Sequence, residues 1–262
     1  MQWKNINFNL GKVVSRIDWT ESLFTIRIRS GSIPYISGQF TKLALYDKNK
    51  EFHRRAYSIV NSPENHKKTG ELEFLIITDP KGNLSPLIHQ LNVNDYIYVG
   101  TEGTGFMTLD AVPTNSKDLW LLSTGTAIGP FISMLEDENE NKNKRFNNII
   151  LVHAVRKKSE LAYKNKIKQL ESKYQGKLKY VRIISREQTP RNLSGRIPEL
   201  LRTGELEREC KVLLCQKSSF LYMCGNPQMV KDTSDTLRSL GFSKHLQAKS
   251  GQFSSENYWK VG

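Results

Sequence analysis

Leu119-Trp120-Leu121-Leu122-Ser123-Thr124-Gly125-Thr126-Ala127-Ile128-Gly129-Pro130 is an apolar run that stops at a hydroxyl- and glycine-containing loop and resumes as a helix-forming segment. An unbroken apolar run of strand length suits a strand covered on both faces, and Gly125 lets the chain turn tightly into a helix expected over 127–135. The same rhythm continues downstream. Strands are expected over 148–154 and 178–184 with a helix over 160–172 between them. A later strand at 220–223 runs into Asn226-Pro227-Gln228, where proline suits the first turn of a helix over 229–240. The asparagine- and charge-rich run 136–145 reads as a solvated helix end and loop. Residues 111–262 are thus expected to form an α/β domain with a mainly parallel sheet that binds ligands beyond its strand C-termini.

Upstream the rhythm differs. Short β-branched and aromatic segments at 11–17, 23–29, 39–45, 56–61, 71–78 and 96–101 are separated by Gly/Pro/Asn connections such as 31–34 and 62–70, and Thr25-Ile26-Arg27-Ile28-Arg29 alternates clearly. Residues 1–110 are expected to form an antiparallel barrel or sandwich, with a short helix over 84–91 before the last strand. A length of 262 residues suits two such domains. The net charge of +13 is uneven: 13 basic and 11 acidic residues up to Asp110, against 26 basic and 15 acidic after it. That excess can steer an anionic partner without saying which kind. Three cysteines neither close a disulfide framework nor supply an iron–sulfur pattern, so a reducing, cytoplasmic setting is expected, with Cys215 in the core and Cys210 at the surface. No apolar stretch is long enough to cross a bilayer.

Several turns carry chemistry. Arg54-Arg55-Ala56-Tyr57-Ser58-Ile59 sets guanidiniums beside an aromatic ring and a hydroxyl, the pair of functions a flavin dinucleotide needs for its phosphates and its flat ring; a strand with arginine in solvent and tyrosine in the core would read the same. Gly82-Asn83-Leu84-Ser85 permits a tight turn opening a short helix whose N–H groups suit a pyrophosphate, although any strand-to-helix connection could carry such a turn. Thr124-Gly125-Thr126 makes a nucleotide-side loop, or an ordinary β/α turn with a threonine cap. Arg156, Arg186 beside Ser185, and Arg196 follow strand ends or turns, and their convergence would favour the extra phosphate of NADP over the ribose diol of NAD; each reads equally well as an ordinary solvated arginine. Cys224-Gly225 again joins a strand to a helix, offering a small thiol and an open approach for a nicotinamide, or simply a buried cysteine. Tyr258-Trp259 near the end can stack on an adenine or flavin face, or dock on the core. The G-x-G-x-x-G fingerprint is absent, and the histidines lack metal-ligand spacing: His53, His66 and His89 read as exposed or capping and His153 as packed at a strand end, so no metal site is expected.

In their order and spacing these residues resemble the bacterial ferredoxin/flavodoxin–NADP reductases over nearly the whole chain. The resemblance implies an N-terminal FAD-binding antiparallel barrel (1–110) and a C-terminal NADP-binding α/β domain (111–262) ending in a flavin-site tail. It implies that Tyr57 of Arg55-Ala56-Tyr57-Ser58 stacks on the isoalloxazine and Ser58 hydrogen-bonds near N5. Arg55 with Gly82, Leu84 and Ser85 then holds the pyrophosphate, and Thr124, Gly125 and Thr126 form the nicotinamide loop. Arg156, Ser185, Arg186 and Arg196 meet the NADP phosphate, and Cys224 and Gly225 lie beside the nicotinamide. Tyr57, Ser58 and Cys224 are the catalytic candidates. Tyr258 and Trp259 would cover the FAD adenine, although Lys260-Val261-Gly262 continue past them. The implied activity is hydride exchange between NADP(H) and FAD and single-electron exchange with ferredoxin or flavodoxin, by a cytoplasmic monomer without nucleic-acid or membrane partners. The competing readings are an NAD(P)H-dependent flavoprotein reductase serving an oxygenase or small acceptor, and a basic nucleic-acid-binding protein, which the sequence gives no zinc, helix-turn-helix or RNA-stacking signature.

Overall fold

In the computed structural model the alternating segment Leu23–Arg29 is strand β2, lying between β1 (Phe8–Asp18) and β5 (Glu71–Ile77) in an antiparallel sheet. Ile26 and Ile28 point into the core as alternation requires, and Arg27 on the other face pairs with Glu73 at 3.0 Å. Thr25 is buried too, because its hydroxyl accepts from Trp19 Nε1 at 2.9 Å and the indole covers that end of the outer face. The structure describes residues 7–137, 145–190, 192–246 and 248–257, which divide into two units: Met1–Thr108 with Ile132–Glu138, and Leu109–Phe131 with Asn139–Gly262.

The first unit's sheet is completed by β3 (Phe40–Tyr46), β4 (Phe52–Ser58) and β6 (Tyr96–Gly100) in the order β4-β3-β6-β1-β2-β5. β4 begins at Phe52, four residues before the expected strand, because an edge strand tolerates the polar His53-Arg54-Arg55 stretch. Ile59 and Val60, expected within that strand, are instead buried beyond it, with Val60 N donating to Glu73 O at 2.9 Å. The 62–70 connection holds a helix, α1 (Pro63–Thr69): Ser62 Oγ accepts from Asn65 N at its start, and Gly70 at φ +71° ends it. His66 on this helix is buried rather than exposed, its ring bonded to Ile33 N at 3.2 Å and Glu71 O at 3.1 Å. The short helix α2 (Ser85–His89) precedes β6.

Gly38 adopts φ +100° at a point where a Cβ would collide with Met107 O and the Met134 side chain. Gly38→Ala is expected to cost the first unit about 2–4 kcal/mol, from left-handed strain plus the forced backbone shift, read as a lower urea midpoint.

The second unit has a five-stranded, wholly parallel sheet in the order β11-β10-β7-β8-β9, formed by β7 (Asp118–Thr124), β8 (Asn148–Val155), β9 (Leu178–Ile184), β10 (Ser219–Gly225) and β11 (Phe253–Asn257). Trp120, Leu122, Ile150, Val152, Leu221 and Met223 are fully buried, as the unalternating runs require. Helix α3 (Gly129–Glu136) starts in this unit but belongs to the first from Ile132 onward; the helices lying wholly in the second unit are α4 (Lys164–Lys173), α5 (Ile197–Arg202), α6 (Glu205–Cys210) and α7 (Pro227–Ser239). α4 starts four residues later than expected because Tyr163, at φ +61°, breaks the helical path. Neither α5, α6 nor β11 was anticipated. The two cysteine placements are reversed: Cys210 packs under the sheet at the end of α6, and Cys215 is exposed.

Candidate active site

Arg55 and Tyr57 lie two residues apart on β4 and therefore share a face of the strand. Arg55 is exposed, its Nη1 donating to Arg54 O at 2.8 Å, while Tyr57 is half-buried against the core of the first unit. Burial pushes the Tyr57 phenol up to about 12, so it stays neutral. Because β4 ends the sheet, its outer backbone groups lie outside the ladder and can meet a polar ring edge. A cavity of about 710 Å³ opens between the β3–β4 hairpin and the 82–85 turn, lined by Tyr46, Glu51, His53, Asn83 and Leu87. The turn is closed by Asp79: Gly82 N donates to its carbonyl at 2.9 Å, Lys81 N to its carboxylate at 3.0 Å, and Ser85 Oγ accepts from its N–H at 2.9 Å. The Ser85 hydroxyl thus shapes the turn, and five-residue α2 is too short to sum a useful macrodipole. Asp47, Glu51 and His53 also meet here, within 4.8 Å of one another. Asp47 Oδ1 accepts from Asn49 N and Glu51 N, and Oδ2 lies 3.2 Å from His53 Nε2, bonds that close the hairpin.

In the second unit the chain moves from β7 outward through β8 and β9, then returns to place β10 on the other side of β7. The reversal falls between β7 and β10, and a crevice beyond their C-terminal ends is where an open parallel sheet takes a nucleotide. Cys224 is in register with Ser123, and just beyond them Asn226 N donates to Thr124 Oγ1 at 2.9 Å. The Thr124 hydroxyl is therefore a tie between the two loops rather than a helix cap. Gly225, at φ +136°, lies so near Thr124 that a Cβ would collide with its side chain and sit 3.1 Å from its N. Gly125, at φ +56°, opens a single 3-10 turn through Ile128 that leads into α3. Cys224 is buried, and burial holds its thiol well above the usual range, so it packs as a neutral group and not as a thiolate.

Arg156 and Arg186 come together at the ends of β8 and β9, with Arg186 N donating to Arg156 O at 3.0 Å; Ser185 Oγ donates to Val155 O at 3.2 Å. All three are exposed, as is Arg196, which precedes α5 three residues after Leu193 pairs alongside β9. The two carboxylates at this corner are occupied by backbone N–H groups: Glu160 accepts from Arg156 N at 2.9 Å, and Glu187 from Lys158 N at 2.8 Å. Tyr258 and Trp259 lie outside the described residues.

Residues 12–105 match the model of the oxidoreductase FAD-binding domain family and residues 121–235 that of the oxidoreductase NAD-binding domain family. The chain is 42% identical over 249 residues to a flavodoxin/ferredoxin–NADP reductase of Buchnera aphidicola (subsp. Baizongia pistaciae), covering 95% of this chain and 97% of that one. It is 41% identical over 250 residues to that of Escherichia coli K12, covering 95% and 98%. The chain belongs to the flavodoxin/ferredoxin–NADP reductase family. The crystal structure of a ferredoxin–NADP+ reductase from Neisseria gonorrhoeae, with bound FAD and NADP, matches with a TM-score of 0.88 at 31% identity, over 97% of this chain and 99% of that one.

In this member of the reductase family, His153 is packed near a strand end as its sequence suggests, but its partners and the neighbouring Tyr180 were not foreseen. His153 is wholly buried on β8, with Nε2 3.0 Å from Gly125 O and Nδ1 3.2 Å from the Tyr180 hydroxyl. The available signal was a histidine inside an otherwise apolar strand, next to a strand carrying tyrosine two positions before Arg182. Burial lowers His153 to about 4. An unfolded histidine titrates near 6.5, so between pH 6.5 and 4 the unfolded chain binds the extra proton and stability falls as pH falls. His153→Gln is expected to remove up to about 3 kcal/mol of the loss between pH 7 and pH 4.5, measured by urea unfolding of both proteins at the two pH values.

Proposed function

We propose that this chain is an FAD-dependent ferredoxin/flavodoxin–NADP reductase in which residues 1–110 hold FAD and residues 111–262 hold NADP(H). When bound, FAD would supply the hydride exchange with NADP(H) and the single-electron exchange with ferredoxin or flavodoxin. The observation that carries the reading is the strand-order reversal between β7 and β10, where the absence of a side chain at Gly225 lets the two loops beyond the strand ends close against each other through Thr124.

On this reading Tyr57 covers the flavin ring as a neutral aromatic face, and Ser58 supplies a hydroxyl at the ring's polar edge. Arg55 pairs with the pyrophosphate beside the Gly82–Ser85 turn around Leu84, and the neighbouring cavity takes the AMP half of FAD. Thr124, Gly125 and Thr126 face the nicotinamide opposite Gly225, and Cys224 supports it as a small uncharged group. Arg156, Arg186 and Arg196, with the Ser185 hydroxyl, take the 2′-phosphate, a role supported by the engagement of Glu160 and Glu187 with backbone amides.

The Val60–Glu73 bond between the chain leaving β4 and strand β5 supports closure of the first sheet into a barrel. One chain supplies both cofactor sites, which favours a monomer, and three free cysteines suit a reducing cytoplasm. Among the described residues no helix is long and apolar enough to cross a membrane.

The test is an anaerobic absorption spectrum. The purified protein is expected to be yellow, to bleach with NADPH far faster than with NADH, and to recover its colour when oxidised ferredoxin or flavodoxin is added. Absence of flavin absorbance after reconstitution with FAD would falsify the proposal, and faster bleaching by NADH would shift it to an NADH-dependent reductase.

A further inference from the structure

Gly125 is held in an unusual way. Its backbone is left-handed, and a Cβ added there would meet nothing within 4 Å, so side-chain packing at this residue does not fix the peptide. Its carbonyl, however, points to the buried ring of His153. A carbonyl oxygen only accepts, so His153 Nε2 carries the proton and donates at 3.0 Å. Nδ1 of the neutral ring is then an acceptor, and the Tyr180 hydroxyl 3.2 Å away donates to it. The proton arrangement is fully determined, and it runs from β9 through β8 to the loop after β7.

We propose that His153 is a positioning residue for hydride transfer: its Nε2–H anchors the Gly125 carbonyl, and Tyr180 fixes the tautomer that makes this possible. The inference rests on the reading of Thr124–Thr126 as the nicotinamide loop. Depression of His153 well below its ordinary range agrees with it, because a ring kept neutral retains an acceptor for Tyr180. An apolar residue would fill the same buried place without tethering the loop; the imidazole has a use there only if the loop must be held at one height.

The holoenzyme variants His153→Met, His153→Gln and Tyr180→Phe test this by stopped-flow reduction of bound FAD with NADPH, alongside FAD content and affinity for 2′-phospho-AMP, which lacks the nicotinamide. His153→Met is expected to slow reduction about 10- to 100-fold, with FAD content and 2′-phospho-AMP affinity within about twofold of the parent. His153→Gln, which can still present an N–H near the Nε2 position, should regain most of the rate, and Tyr180→Phe should slow it several-fold. A parental rate in His153→Met, an equal loss in His153→Gln, or a parallel loss of 2′-phospho-AMP binding overturns the positioning role. Should His153→Met fail to fold, Tyr180→Phe decides alone, a parental rate counting against the inference. Gly125→Ala separates the two levels: a parental rate there overturns the loop assignment and this inference together, whereas a slow Gly125→Ala beside a fast His153→Met removes only the role of His153.

Discussion

The Arg156→Ala/Arg186→Ala double variant is expected to lose about 100-fold in kcat/KM for NADPH while kcat/KM for NADH stays within a few-fold of the parent. The two residues leave adjacent parallel strands and are joined through Arg186 N and Arg156 O at 3.0 Å, so their side chains start from one small region. A charge-assisted hydrogen bond contributes about 1.5–3 kcal/mol, and the exposure of both arginines argues for the lower value each, or about 3 kcal/mol together. That corresponds to roughly two powers of ten. Since NADH lacks only the 2′-phosphate, the ratio between donors isolates this contact from any general damage. Equal losses for both donors would move the arginines to the pyrophosphate, and no loss would leave the phosphate to Arg196 or elsewhere.

Gly225→Ala should slow reduction of the flavin by NADPH at least about 100-fold while the flavin spectrum stays unchanged. Alanine at φ +136° is strained by about 1–3 kcal/mol, and its Cβ would collide with the Thr124 side chain. Thr124 cannot simply rotate away, because its hydroxyl accepts from Asn226 N at 2.9 Å and losing that bond costs about 1 kcal/mol more. The loops after β7 and β10 must therefore separate, and an ångström of movement is costly at the place proposed for hydride transfer. Gly176→Ala is the control: φ is +86° there too, but a Cβ would meet nothing within 4 Å, so strain appears without collision and the reduction rate should not change. If both glycine variants behave alike, backbone strain rather than loop spacing explains the effect.

Much of this layout was legible in the residues. Strands 23–29 and 178–184 were read with the observed bounds because their apolar residues are dense and their limits are marked by turns. The loops carrying Gly125 and Gly225 were legible because glycine at a strand end needs a reason. Less was legible where stability comes from distant partners. β11 reads as Phe-Ser-Ser-Glu-Asn and becomes a strand only because β10 offers it a parallel edge. The polar start of β4 was missed because an edge strand need bury only part of its surface. His66 was misread because a histidine in a proline- and lysine-rich connection looks solvated until Ile33 N and Glu71 O are brought to its ring. Cys210 and Cys215 exchanged places for a similar reason: the short helix α6, unforeseen, turns the former under the sheet.

By itself the sequence determined the change from alternating to unbroken apolar strands along the chain and the residue types that suit a flavin dinucleotide and a phosphorylated nicotinamide donor, but not that residues 132–138 group with the first unit. Those properties are local, set by side-chain periodicity and by the backbone freedom of glycine. Only the tertiary structure decided that β10 returns to the far side of β7 and that Thr124 ties to Asn226. It alone also set His153 and Tyr180 beneath Gly125. Strand order and cross-strand contact depend on pairings between residues dozens of positions apart, and no local pattern in a single chain fixes which strands will meet.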